Sequence, residues 1–183
     1  METIHTLRPT GINTRDAWYS GWPYAGADCY KNVNEATKSE TDWNYNLDTT
    51  GVVPTQSVLY TLETYSGGDA ISRITLKGYY RVVNTGWASG ARARFRIKTG
   101  GTIYEDSFFN PDTAYTLYSK VYTTNPKTGN PWSAAEVNAL AAGDSLQALW
   151  ADAFYYSSSY CCQFWVEVVE AAVESGGNFF LVM

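Results

Sequence analysis

Histidine occurs once in the 183 residues, at His5, and cysteine three times, at Cys29, Cys161 and Cys162; charged residues make up only 17%. Each scarcity excludes a class of chemistry. A Cys/His zinc site needs paired ligands at short spacing, and the chain has no such set. A Ser/His/Asp hydrolase would have to use His5, in a terminus expected to be mobile, and no G-x-S-x-G elbow accompanies it. Neither G-x-x-x-x-G-K-[ST] nor a helix-opening G-x-G-x-x-G is present, so no phosphate-cradling loop is expected. No stretch approaches the ~18 consecutive apolar residues of a membrane helix. Residues 1–9 carry neither a basic n-region nor an apolar h-region, and no Asn-x-Ser/Thr sequon occurs. The expectation is a soluble protein made in the cytoplasm without export. An odd cysteine count with two adjacent members argues against a secreted disulfide framework. Adjacent strand residues face opposite ways, so at most one of Cys161 and Cys162 could reach Cys29, and buried or half-buried thiols are expected.

Aromatic residues are abundant instead: 16% of the chain, with 7 Trp and 15 Tyr. Together with the low charge they exclude disorder for most of the length. A chain of this size makes one domain and can bury a sizeable core without metals or disulfides.

Period-two patterning dominates. In residues 71–83, Ile74, Leu76, Gly78, Tyr80 and Val82 share one face, and Arg73, Thr75, Lys77, Tyr79 and Arg81 share the other, as in a half-buried strand. In 91–98, Ala91, Ala93, Phe95 and Ile97 face inward, and Arg92, Arg94, Arg96 and Lys98 outward. A Gly-Gly turn at 99–102 leads into a strand over 103–109. Further strands are expected near 42–47, 57–62, 115–123, 145–151 and 161–169. The first 40 residues, rich in Gly, Asn, Thr and Asp, read as an irregular segment tied down by aromatics. One helix is expected over 133–142, with Ser133 as N-cap, Glu136 completing a capping box and Gly143 as its stop.

Candidate functional residues are few. Asp42, Asn44, Asn46 and Asp48 offer oxygen ligands of the kind calcium takes. An EF-hand loop from Asp42 would need Gly and Glu where Leu47 and Val53 stand, and a strand with Trp43, Tyr45 and Leu47 inside and amides outside accounts for the same residues. The best-defined electrostatic feature is basic. Residues 73–98 hold Arg73, Lys77, Arg81, Arg92, Arg94, Arg96 and Lys98 and no acid, so this window is +7 and the remainder −12. If the two strands pair, all seven lie on one face, a subunit interface for an acidic protein surface. The simpler alternative is neutralisation by acids on neighbouring strands, Glu167 among them. The overall acidity and the absence of a reading helix argue against nucleic acid. Trp87, Tyr155 and Tyr156, in expected loops, are candidate glycan contacts, because flat rings stack on sugar faces. Phe179, Phe180, Leu181 and Val182 follow a Gly-Gly hinge and form an apolar C-terminal arm that must be covered, either by folding back as a strand of its own sandwich or, the favoured expectation, by crossing to a neighbouring subunit.

The run Asn125-Pro126-Lys127-Thr128-Gly129-Asn130-Pro131-Trp132-Ser133, with Glu136 to Leu140 and Gly143 after it, resembles a motif of jelly-roll structural proteins of tailed phages, roughly N-P-x-T-G-x-x-W-[ST], a short helix and a Gly. The strands beginning Ile71-Ser72-Arg73 and Cys162-Gln163-Phe164 fall in that pattern's order, and Thr41-Asp42-Trp43 resembles its opening strand. The adjacent cysteines and the short tail depart from it. The resemblance implies an antiparallel jelly-roll β-sandwich with one short helix: an irregular segment over 1–40, the sandwich over 41–174 and the arm over 175–183. It further implies a non-enzymatic virion protein, a capsid accessory or decoration subunit that forms homo-oligomers and binds other virion proteins. No catalytic residue, metal or cofactor is implied, and no membrane partner. The alternative expectation is a tail-associated receptor-binding or carbohydrate-binding module.

Overall fold

The alternating patterns pair into two antiparallel sheets. A computed structural model describes residues 1–15, 30–39, 41–45, 55–84, 90–152 and 155–172, and for 149–152, 155 and 156 the backbone alone. The elements are β1 (Thr3–Leu7), β2 (Pro9–Arg15), β3 (Asn44–Tyr45), β4 (Thr55–Leu62), β5 (Ile71–Asn84), β6 (Arg92–Thr99), β7 (Thr102–Glu105), β8 (Thr116–Tyr122), α1 (Ala134–Asn138), β9 (Ala141–Gln147), β10 (Leu149–Asp152) and β11 (Tyr155–Glu170). The first sheet runs β1-β11-β5-β8, and β3 and β10 also pair with β11; the second runs β2-β4-β9-β6-β7. The protein is all-β, a β-sandwich.

The core lies between the sheets and follows the expected alternation. Ile74, Leu76, Tyr80 and Val82 of β5 are buried, as are Ala93, Phe95 and Ile97 of β6. Aromatic rings tie the layers together. Tyr80 meets Phe95 edge-on at 5.6 Å, and Phe109 stacks on Tyr118 at 4.5 Å. Gly100 and Gly101 take φ of +53° and +79° in the two-residue link from β6 to β7, the positive values a tight hairpin requires.

Both Cys161 and Cys162 are buried, although neighbours on a regular strand face opposite ways. The cause is a bulge. Cys161 pairs with Tyr80 and Gln163 with Tyr79, which leaves Cys162 as the extra residue. The bulge reverses the phase of β11: Ser157, Ser159 and Cys161 point inward before it, and Phe164, Val166 and Val168 after it. Cys29 lies outside the described residues.

Three expectations are corrected. The segment 1–40 is not irregular throughout. β1 adds to the first sheet and β2 to the second, so the chain changes sheets at Arg8; alternation is hard to read there because apolar Ile4 is exposed and His5 shares the inward phase of buried Leu7. The helix is shorter than 133–142. Its N-terminus forms as expected, with the Ser133–Glu136 capping box, but β9 begins at Ala141. Gly143 is therefore a strand residue and not a helix stop. A side chain there would overlap the Val58 carbonyl oxygen, so a glycine permits the close approach of β4. Finally, Asn44 faces inward and Trp43 and Tyr45 are half-buried, the reverse of the expected pattern. Asn44 Nδ2 donates to the Tyr60 hydroxyl at 3.0 Å, and Asn32 Nδ2 donates to Asn44 Oδ1 at 3.0 Å. Residues 46–54, with Asn46, Leu47 and Asp48, lie outside the described residues.

The 125–133 motif is an architectural clasp at one end of the sandwich. Asn125, 1% exposed, donates from Nδ2 to Thr99 Oγ1 at 3.1 Å and Glu136 Oε1 at 2.8 Å. Its Oδ1 accepts from the Lys127 N–H, and its carbonyl from Gly129. Buried Trp132 donates from Nε1 to the Tyr122 carbonyl. One asparagine and one tryptophan thus fix the crossing from β8, in the first sheet, through α1 to β9, in the second.

Candidate interaction surface

The seven basic residues do not share a face. β5 and β6 belong to different sheets and pack across the core from one another. Arg73, Lys77 and Arg81 point outward from one sheet, and Arg92, Arg94, Arg96 and Lys98 outward from the other. The stripe in sequence is therefore two patches on opposite sides of the sandwich. Intramolecular partners hold both. Arg73 meets Glu2 at 2.9 Å, and Lys77 meets Glu167 at 2.8 Å. Arg94 and Arg96 share Glu105, at 2.6 and 3.0 Å. Arg92 donates to Gln147, Lys98 Nζ donates to Asn13 Oδ1, and Arg92 and Arg94 flank the Phe108 ring. Carboxylates meet Arg73, Lys77, Arg94 and Arg96, whereas Arg92 and Lys98 bond neutral amides, so pairing lowers the field of each patch without cancelling it.

The outer face of the first sheet is more distinctive. An open cleft of about 420 Å³ is lined by Arg8, Lys38, Tyr79, Gln163 and Trp165, with Thr6, Ala36 and Thr37 beside them. β5 and β11 place Tyr79 and Trp165 side by side, ring centroids 6.0 Å apart. Lys38 Nζ lies 5.5 Å from the Tyr79 ring and 5.8 Å from that of Tyr115. Arg81 sits between Tyr115 and Tyr160, and Tyr45 stacks on Tyr160 at 5.3 Å. Burial pushes the Tyr115 hydroxyl well above its ordinary pKa, so it stays neutral. Arg8 is braced by its own bond to the Glu35 carbonyl at 2.7 Å. Flat rings with cations set among them suit stacking on sugars or contact with a mixed apolar and acidic surface. Sequence reading missed this group because its members come from six separated segments. The only linear signal was the outward phase of Tyr79 and Trp165.

Two further clusters use titratable groups structurally. His5 is in β1, not in a mobile terminus, with Nε2 3.2 Å from Glu170 Oε1. Glu170 also accepts from the Tyr65 hydroxyl at 2.7 Å and the Gly68 N–H at 2.8 Å. These bonds, Tyr65 first, hold its carboxyl below the usual range. They tie the end of β11 to β1 and to the loop before β5. In the core, the Tyr80 hydroxyl donates to Asp144 Oδ2 at 3.1 Å, with Cys161 beside them. Burial raises the Asp144 carboxyl to about 6, against the lowering influence of Tyr80, Cys161 and Arg96. It likewise raises Tyr80 and Cys161 well above their ordinary values. Among the described residues no group of three or more His, Cys, Asp or Glu is placed to hold a metal ion, and no helix is long and apolar enough to cross a membrane.

Trp87 and the C-terminal arm residues Phe179, Phe180, Leu181 and Val182 lie outside the described residues, as do the side chains of Tyr155 and Tyr156. No protein-family model matches the chain, and no curated protein matches it.

Proposed function

We propose that the protein is a non-enzymatic structural subunit of a tailed-phage virion, a capsid accessory or decoration protein built on a jelly roll. The strand pairing carries this reading. With β1, β4, β5, β6, β7, β8, β9 and β11 taken as eight successive strands, the first pairs the last, the second the seventh, the third the sixth and the fourth the fifth. That nested order is what rolling one long antiparallel hairpin into two sheets produces, and viral capsid domains use it. The 125–133 clasp supports the reading, because the residues that resemble the phage motif are those that lock the sandwich end. The subunit would work by surface complementarity with neighbouring virion proteins, in many copies. Purified particles are the test. Quantitative peptide mass spectrometry should find the chain at a copy number comparable with the major capsid subunit. Absence from particles overturns the proposal.

The C-terminal arm belongs to the same proposal. Deletion of 179–183 should leave a folded domain that no longer stays on the particle, and loss of cooperative unfolding would assign the segment to the chain's own core instead.

One observation favours a second reading, a tail-associated receptor-binding or carbohydrate-binding module. The Tyr79–Trp165 cleft, with Arg8 and Lys38 at its walls, has the composition of a glycan platform. Low copy number together with glycan binding that Trp165→Ala abolishes would select it.

A further inference from the structure

We infer that β8 is a homodimerisation edge, at which two copies of this chain join their first sheets into one continuous sheet across a two-fold axis at Ser119. The inference concerns a surface and holds whether or not the chain belongs to a virion.

The four sheet edges differ in how they are guarded. β2 begins with Pro9 and has two register shifts against β4, and β7 is four residues long. β1 is five residues, with His5 at its centre held to Glu170. β8 is seven residues, has no proline, and pairs with β5 in unbroken register from Thr116 to Tyr122. Its one charged residue does not guard it, because Lys120 Nζ is tied to Asp106 Oδ1 at 2.8 Å. Long, regular, uncharged edges are templates for strand addition, and proteins that stay monomeric blunt them.

The outward side of β8 is apolar and exposed. Leu117 is 44% exposed and Val121 47%, two of the five exposed large hydrophobic residues among the described part of the chain. They flank Ser119, and this spacing identifies the occupant. If a second β8 pairs antiparallel with Ser119 opposite Ser119, Leu117 falls opposite Val121, twice. On the other side of the sheet Tyr118 falls opposite Lys120, twice, each Lys120 held by Asp106 of its own chain. The strand is thus complementary to its own reverse in size and polarity, as an isologous two-fold contact demands. Close cross-strand packing of side chains is what stabilises such a ladder. Offsetting the pairing by one residue would set exposed apolar side chains against the Tyr and Lys side; offsetting it by two would set Lys120 against Lys120 or leave Leu117 opposite Ser119.

Light scattering on the full chain over a concentration series should show a reversible doubling of mass. Val121→Lys should return it to the mass of one copy, with the thermal unfolding that the parent shows when diluted to single copies, since the side chain is exposed. Ser119→Cys, in a Cys29→Ser background, places two thiols at directly opposed positions. Those Cα separations, about 4.5–5.5 Å, are within disulfide range, so oxidation should give a covalent dimer. Leu117→Cys in the same background should not, because its two copies would be offset by four residues. A one-copy mass at every concentration overturns the inference. So does a dimer that survives Val121→Lys, or one that Ser119→Cys fails to lock. A full chain that dimerises only after removal of residues 173–183 assigns the edge to its own C-terminal segment and overturns it too.

Discussion

Tyr80 on β5 and Asp144 on β9 are joined by a fully buried hydrogen bond, hydroxyl to carboxylate, 3.1 Å long, between the two sheets of the sandwich. It places a titratable group where water does not reach. Burial raises the Asp144 carboxyl from 3.8 to about 6.

Burial of this carboxyl, partly offset by the Tyr80 bond, makes stability fall with rising pH through a defined window. Below 3.8 the carboxyl is neutral in both folded and unfolded chains. Between 3.8 and about 6 the unfolded chain ionises first, so the folded state binds the extra proton and stability declines as pH rises. Above about 6 the loss is complete, roughly 3 kcal/mol for a shift of about two units. Urea unfolding at pH 4 and pH 7 measures it. Asp144→Asn keeps an acceptor for Tyr80 and should flatten the dependence. An unaltered slope in that variant would place the proton elsewhere.

The clasp at the sandwich end should be the most sensitive polar site. Asn125→Ala leaves Thr99 and Glu136 without their shared donor in a buried setting, a loss of about 2–3 kcal/mol. Ser133→Ala removes only the helix cap and should cost about 0.5–2 kcal/mol. Thermal melts of the two variants should rank in that order.

Charge reversal on the second sheet should act on stability first. Arg94 and Arg96 are 20% and 13% exposed at their side chains and both hold Glu105. Arg94→Glu with Arg96→Glu would bring three carboxylates together and destabilise the β6–β7 hairpin by roughly 1–3 kcal/mol. Adding Glu105→Arg should recover part of the loss. A double variant as stable as the parent would mean these pairs contribute nothing.

Gly143→Ala separates the two possible roles of that glycine. At a helix C-terminus it would be mild. In β9, where the new methyl group meets the Val58 carbonyl oxygen, it should cost about 3 kcal/mol or prevent folding. Circular dichroism and denaturant titration distinguish the outcomes.

What the linear sequence determined by itself were the local features. The inward and outward faces of β5 and β6 were legible because a strand's side chains alternate whatever it pairs with. The Ser133 cap and the Gly100-Gly101 turn were legible because their bonds close within a few residues. The all-β class followed from the number of such strands. Only the tertiary structure decided which strands share a sheet. Two consecutive basic strands looked like one charged face, yet β5 and β6 cross the core from each other, and their cations divide between opposite surfaces. β1 and β2 escaped notice because alternation is hard to read there, with apolar Ile4 exposed and His5 in the inward phase of buried Leu7, and long-range pairing alone makes them strands. The bulge at Cys162, the inward turn of Asn44 and the gathering of Tyr79, Trp165, Lys38 and Arg8 around one cleft have the same cause. Each depends on contacts between residues tens of positions apart, and a pattern with period two records only the face of a strand, not its neighbour.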